Sequence, residues 1–180
     1  MSQYKEYIQP IGECGIAFTA GGQLYTAGHV ISEMDFPRFR YGSKLYEVSS
    51  HVFHTYDTQQ NGTAGLDVTI YESAQESSLE ICAFLPTVGS EVECHTWMRK
   101  ANGFEYAVVK GTVDEIEGNF FTCIMSEVLL REGNSGSPLL IGNKVVGILH
   151  AGEPGTTLCA FQMILPFMVE VKNKSIRYER

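Results

Sequence analysis

The feature that most constrains this chain is the shortness of its apolar runs. Apolar residues never recur at helical spacing over a long stretch; short apolar or alternating runs are instead cut off by Gly, Asn, Asp or Ser. That is the pattern of strands and turns, and 18 glycines supply the corners. Residues 15–19 and 23–27 flank Ala20-Gly21-Gly22, a hairpin signal. Residues 44–48, 52–56 and 66–71 read as further strands, with a polar loop over 57–65 and an acidic, polar connector from Glu72 to about Gly89. A second set covers 92–98, 104–109, 112–116, 120–125, 138–141, 145–150 and 158–164. Asn102-Gly103, Glu117-Gly118 and Gly142-Asn143 supply turns between them. Residues 166–172 read as a short helix with Pro166 in its first turn, ahead of a basic tail. Two sets of about six short strands joined by a linker imply an all-β chain of two six-stranded antiparallel barrels. The expected limits are 1–74 for the first, 75–89 for the linker and 90–180 for the second with its tail.

Composition narrows the function classes. The chain has 180 residues, 44% of them hydrophobic and 19% charged, which belongs to folded proteins. Its 21 acidic and 13 basic residues give a net charge of −8, which argues against a general nucleic-acid binder. The basic tail residues Lys172, Lys174, Arg177 and Arg180 leave RNA binding only as a secondary role. No apolar run approaches the ~20 residues of a membrane span, and MSQYKEYIQP carries no basic-then-apolar secretion signal. The five cysteines, Cys14, Cys82, Cys94, Cys123 and Cys159, are odd in number and irregularly spaced. They read as reduced thiols rather than a disulfide framework, which suits a cytosolic setting. Cys94 adjoins His95, but adjacent ligands rarely suit a tetrahedral zinc site and there is no C-x-x-C pair. No metal is expected.

Three stretches carry chemistry: Tyr25-Thr26-Ala27-Gly28-His29-Val30, Leu66-Asp67-Val68-Thr69-Ile70 and Gly133-Asn134-Ser135-Gly136-Ser137-Pro138. Each alone has a bland reading, as a structural histidine, an edge acid and a turn. In the order His, Asp, Ser they meet the needs of acyl transfer. A serine hydroxyl is a poor nucleophile until a base takes its proton. Histidine titrates near neutrality, and a buried carboxylate fixes its tautomer and stabilises the imidazolium. Glycines around Ser135 allow a sharp turn that would aim the N–H groups of Gly133 and Ser135 at an oxyanion. Asp35 is too close to His29 and Asp57 lies in a polar loop, so Asp67 is the better partner. His51, His54 and His95 have no such context.

Over roughly residues 12–164 the chain resembles the chymotrypsin-like serine proteases. Thr-Ala-Gly-His-Val, Leu-Asp-Val-Thr-Ile and Gly-Asn-Ser-Gly-Ser-Pro are similar to that family's three signature stretches. The resemblance implies a serine endopeptidase with His29 as general base, Asp67 as its carboxylate and Ser135 as nucleophile. Gly133, Asn134 and Ser135 would form the oxyanion loop, and no cofactor is implied. Val30 and Arg131 stand where secreted animal members carry cysteines, so those cross-links cannot form. Asn134 replaces the aspartate that pairs with a new N-terminal amine on zymogen activation. These departures look most like viral proteases of this fold, which cut polyproteins in the cytoplasm of an infected cell. The partners that the resemblance implies are a polypeptide substrate, the chain's own polyprotein, and a viral or membrane-bound regulator. Secreted bacterial glutamyl endopeptidases share Gly-Asn-Ser-Gly-Ser-Pro and are the nearest alternative. A catalytically silent binding module is another.

The residue taken before the scissile bond stays open. Anchoring Gly147 and Ala151-Gly152 on the relatives' pocket strand puts Leu149 at the pocket position, with Leu130 opposite. Side chains alternate along a strand, so Leu149 and His150 should face opposite ways, with His150 toward Asp67. That favours an apolar pocket lined by Leu130, Leu149, Ala151 and Gly152. A bulge turning His150 inward would restore a Gln or Glu preference.

Overall fold

The computed structural model describes residues 3–56 and 66–164. The polar loop over 57–65 and the helix and basic tail expected after 165 lie outside the described residues. The first half contains β1 (Ile8–Ile11), β2 (Gly15–Ala20), β3 (Gln23–Thr26), a short helix α1 (Gly28–Ser32), β4 (Arg38–Tyr41), β5 (Lys44–Glu47), β6 (Phe53–Tyr56) and β7 (Asp67–Glu72). Five of these strands form one antiparallel sheet in the order β1-β2-β3-β7-β6. The hairpin β4–β5 is a separate pair. Strict alternation along β4 exposes Arg38 and Arg40 and buries Phe39 and Tyr41. Phe39 stacks on Tyr46 at 5.4 Å and meets Tyr71 of the sheet edge-on at 5.4 Å, so the hairpin packs its apolar face on the sheet.

The second half contains β8 (Glu80–Ile81), β9 (Glu91–Lys100), β10 (Gly103–Glu117), β11 (Phe120–Met125), a short helix α2 (Arg131–Asn134), β12 (Pro138–Ile141), β13 (Lys144–Gly152) and β14 (Leu158–Met163). Its strands run β12-β9-β10-β11-β14-β13, and β13 pairs back onto β12, closing a six-stranded antiparallel barrel. The short β8 adds to β13 in parallel. Inward side chains such as Val92, Val109, Phe121, Leu149 and Phe161 fill this barrel. The other core holds Ile8, Phe18, Leu24 and Ile70 and continues into Leu140, Val145, Ile148 and Ile164 from the second half. The seam between the halves is therefore apolar, and Trp97 Nε1 donates across it to Ile8 O at 2.7 Å. Among the described residues, no helix is long and apolar enough to cross a membrane.

Four local expectations change. β1 is a strand despite Pro10, which sits at the edge of its sheet, where proline is tolerated. β10 is one strand of 15 residues rather than two. Gly111 is not a turn residue there: a Cβ would lie 2.3 Å from Met125 Sδ, so the glycine lets two strands approach. The connector holds the short strand β8. His29 lies within α1 rather than simply after a strand.

Candidate active site

α1 follows β3 after a single extended residue, Ala27. The helix presses onto β6 and β7, where a Cβ on Gly28 would stand 2.1 Å from Thr55 O. This contact sets His29 beside Asp67, the first residue of β7. The His29 main-chain N–H donates to Asp67 Oδ1 at 2.7 Å, and His29 Nδ1 lies 2.6 Å from Asp67 Oδ2. The carboxylate is buried. Burial pushes its pKa up, but hydrogen bonds from His150 and His29, with their charges, outweigh it and bring the pKa down to about 2. At neutral pH Asp67 is thus an acceptor only, so the Nδ1 atoms facing it carry the protons. In the neutral ring this leaves the Nε2 lone pair as the acceptor, and Nε2 is buried without a hydrogen-bond partner among the described residues. That is the tautomer a general base needs.

His150 arrives by a bulge. Leu149 pairs with Phe161 and Ala151 with Ala160, leaving residue 150 between them unpaired. Its side chain leaves the ladder and its Nδ1 hydrogen-bonds Asp67 Oδ2. The ring is edge-on to His29 at 5.7 Å and packs on Phe120 at 5.0 Å. A bulge therefore exists, yet His150 turns to Asp67, whose oxygen supplies the acceptor that the bulge's exposed imidazole needs. The His150 carbonyl accepts the Ser135 hydroxyl at 3.1 Å.

Three acid–base groups so close invite comparison with a metal centre, since ligand atoms of His29, Asp67 and His150 lie within 4.8 Å of one another. Ligands around a tetrahedral zinc at ~2.0–2.1 Å stand about 3.3 Å apart. The 2.6 Å between His29 Nδ1 and Asp67 Oδ2 is the spacing of a hydrogen bond.

Ser135 follows α2, whose middle is not helical: Glu132 has φ −81°, ψ 111° and Gly133 φ +101°, ψ −32°. A helical ψ is near −42°, so the Glu132–Gly133 peptide plane is turned by roughly 150° and its N–H points out of the helical ladder. Only glycine takes such a φ at little cost. Gly136, at φ +93°, passes so close to β2 that a Cβ would stand 2.0 Å from Ile16 O. Ile16 N–H donates to Ser135 O at 2.8 Å, and Gly136 N–H to Leu149 O at 2.9 Å. The serine turn is thereby fastened to both halves of the molecule.

Asn134 differs from its expected role as an oxyanion donor. Its N–H donates to Leu130 O at 3.2 Å. Its buried side chain accepts from Leu130 N–H at 3.0 Å and donates to Thr96 Oγ1 and Trp97 O, both at 3.1 Å. Ser137 Oγ adds a bond to Thr96 Oγ1 at 2.7 Å. Asn134 thus anchors the loop to β9, a task that needs no charge and no amine partner.

The expected pocket residues stand in different surroundings. Leu149 is 0% exposed, inside the barrel core. Leu130 is 56% exposed, on a cavity of about 450 Å³ that Trp97, Met98, Phe104 and Val128 share with Gly133. Ala151 and Gly152 are half-buried, and a Cβ on Gly152 would stand 2.0 Å from Leu129 O. The carboxylate that His29 bonds is that of Asp67 and not that of Asp35, and Asp57 lies outside the described residues. His54 bonds Thr69 Oγ1 at 2.6 Å, His51 packs on it, and His95 bonds Tyr106 at 2.6 Å.

Several residues of the site were not read from sequence. Gln162 Oε1 accepts the Asp67 main-chain N–H at 2.7 Å; its signal was a polar residue in an apolar strand, the same one that marks Asp67. Arg131 reaches from α2 to Glu33 Oε1 at 2.9 Å and Oε2 at 3.3 Å, and to Tyr56 OH at 3.1 Å. Each of these residues lies next to one of the three candidate residues: Glu33 caps the helix of His29, Tyr56 pairs in register with Asp67, and Arg131 is four residues before Ser135. The Tyr56 ring is 5.6 Å from that of His29. Ser135 is 0% and His29 1% exposed.

No protein-family model matches the chain, and no curated protein matches it. Solved structures do. Kallikrein-related peptidase 10 superposes with a TM-score of 0.69 at 16% identity over 96% of both chains. The serine protease of a human pathogenic astrovirus gives 0.59 at 15% identity, covering 88% of this chain and 90% of that one. A scabies mite inactivated protease paralogue gives 0.67 at 14% identity over 96% of both. At such identities the likeness establishes the fold, the two-barrel chymotrypsin-like one.

Proposed function

We propose that this chain of chymotrypsin-like fold is a serine endopeptidase working through Ser135, His29 and Asp67. The observation that carries the reading is the pair of bonds from His29 to Asp67, which turns a buried Nε2, without a hydrogen-bond partner among the described residues, away from the carboxylate. The Ser135 hydroxyl rests on His150 O, so the reaction requires it to leave that carbonyl and turn toward Nε2, a change of χ1 between staggered wells. His29 takes the proton as Oγ attacks the peptide carbonyl, and Asp67 stabilises the imidazolium. The N–H groups of Gly133 and Ser135 hold the oxyanion. His29 then gives its proton to the leaving amine, and water releases the acyl group by the same steps in reverse. The site residues themselves supply base, nucleophile and oxyanion donors.

The finer reading is a viral protease that processes its own polyprotein in the host cytoplasm. Its support is chemical: all five cysteines are free thiols, and an uncharged Asn134 network organises the oxyanion loop. A secreted glutamyl-type protease would keep the same triad. A silent binding module of this fold would keep the barrels without turnover.

The test is cleavage of a diverse peptide library by wild type and Ser135→Ala, with cut sites read by mass spectrometry. Wild type is expected to cut and Ser135→Ala to fold without cutting. Equal turnover by both would refute the nucleophile, and no cutting by wild type would support the silent module. The residue before each cut bond separates an apolar pocket from one for Gln or Glu.

A further inference from the structure

We infer that Gln162 is a positioning residue for the catalytic carboxylate, a strut that holds Asp67 at a fixed distance from the barrel carrying Ser135. This rests on the protease reading of Asp67. Along β14, Cys159, Phe161 and Met163 point into the second barrel, while Ile164 belongs to the core of the first half. By alternation Gln162 lies on the face toward the first half. It is 0% exposed, a place where an amide costs free energy unless every polar atom is paired. All are: Oε1 accepts Asp67 N–H at 2.7 Å, and Nε2 donates to Asn119 O at 2.8 Å and Met163 O at 3.1 Å.

The amide is held by the second barrel and reaches for one main-chain group of the first, that of Asp67. Asp67 opens β7, so this bond sets the direction from which its carboxylate leaves the strand. The carboxylate then sets the ring of His29 through two bonds. A displacement of about 1 Å at such a group costs on the order of 100-fold in rate. Gln162 touches no reacting atom and acts through Asp67 alone.

The test compares wild type with Gln162→Met, which keeps length and volume but loses all three bonds, and with Gln162→Glu, which keeps the acceptor. Three readouts are taken on the full chain: kcat and KM on a cleaved peptide, thermal stability, and the low-field proton resonance of the His29–Asp67 bond. Gln162→Met is expected to lower kcat about 10- to 100-fold with KM unchanged, and to shift that resonance. Gln162→Glu should keep kcat within about threefold and restore the resonance, because a buried Glu facing two carbonyls and the Asp67 carboxylate stays protonated, keeping the acceptor for Asp67 N–H and one O–H donor. A lower melting temperature in both variants with kcat and resonance unchanged would overturn the inference and leave only a seam contact. The resonance reports the bond whether or not the chain cuts peptides. An inactive wild type with a shifted resonance in Gln162→Met would refute the protease reading and keep the strut.

Discussion

Replacing Asp67 by Asn keeps the shape of the side chain and forces its amide into a conflict that the structure makes explicit. Oδ1 accepts the His29 N–H, and Oδ2 faces Nδ1 of both His29 and His150. An amide can place its oxygen at only one of these positions. With the NH₂ group toward the main chain it opposes a donor at 2.7 Å. With the NH₂ group toward the imidazoles, both must move their protons to Nε2, and His29 is no longer a base. Either way the expected loss in kcat/KM is about 10⁴-fold. Stability gives a second, independent number. The Asp67 pKa falls from 3.8 to about 2 on folding, which corresponds to about 2–3 kcal/mol. Because the folded value is the lower one, this stabilisation is complete above about pH 5 and is lost as pH falls through 4 toward 2. Urea unfolding of wild type and Asp67→Asn, followed from pH 6 to pH 2, should show the gap between them narrowing by about 2 kcal/mol. A gap that stays constant across that range would refute the ionised, doubly hydrogen-bonded carboxylate and the tautomer inferred from it.

Other outcomes follow from single contacts. Gly136→Ala should cost about 3 kcal/mol or more, from a left-handed φ and a 2.0 Å approach to Ile16 O, whereas Gly21→Ala, with the same sign of φ but open space around it, should cost about 1 kcal/mol; a thermal melt of each decides. Burial pushes the thiols of Cys94, Cys123 and Cys159 up, the last two to about 12 and about 11, so a maleimide at pH 8 should label Cys14 and Cys82 in the native chain and the other three only after denaturation. Rapid native labelling of all five would contradict the packing of the second barrel. The Arg131–Glu33 pair is partly exposed and worth up to about 1 kcal/mol; if it must open for a peptide to reach Ser135, Glu33→Gln should raise kcat/KM at low ionic strength by up to about fivefold and abolish its rise with salt. Identical salt dependence in both proteins would show that the pair does not gate entry.

What was legible in the sequence is what sits in contiguous residues. Short runs ended by glycine carry the strand pattern, and the stretches around His29, Asp67 and Ser135 each combine a reactive side chain with the small or apolar neighbours its position requires. Such local signals lead to the two-barrel architecture. Strand periodicity also pointed His150 toward Asp67, although the bulge at that residue is a pairing property that no single strand reveals. Less legible were features decided by partners far along the chain. Gly111 looks like a turn until Met125 is placed beside it. Asn134 reads in sequence as one residue of the oxyanion loop, and nothing local shows that its side chain is held by acceptors on β9. Arg131, Glu33 and Tyr56 are ordinary surface types in sequence, and only the fold brings them together. Gln162 was the nearest miss, because a lone amide among Cys159, Phe161, Met163 and Ile164 asks for a buried partner as plainly as Asp67 does.

The serine turn is fastened through main-chain atoms: Ile16 N–H to Ser135 O, Gly136 N–H to Leu149 O, and Leu149 N–H to Ser137 O. A main-chain amide is the same whichever side chain it carries. Substitution can therefore replace nearly every neighbour of this turn across lineages without removing a single one of those bonds, provided glycine stays where the backbones nearly touch. A shape held in this way does not depend on most of its letters, which is how the chain shares its fold with kallikrein-related peptidase 10 and an astrovirus protease at only 15–16% identity.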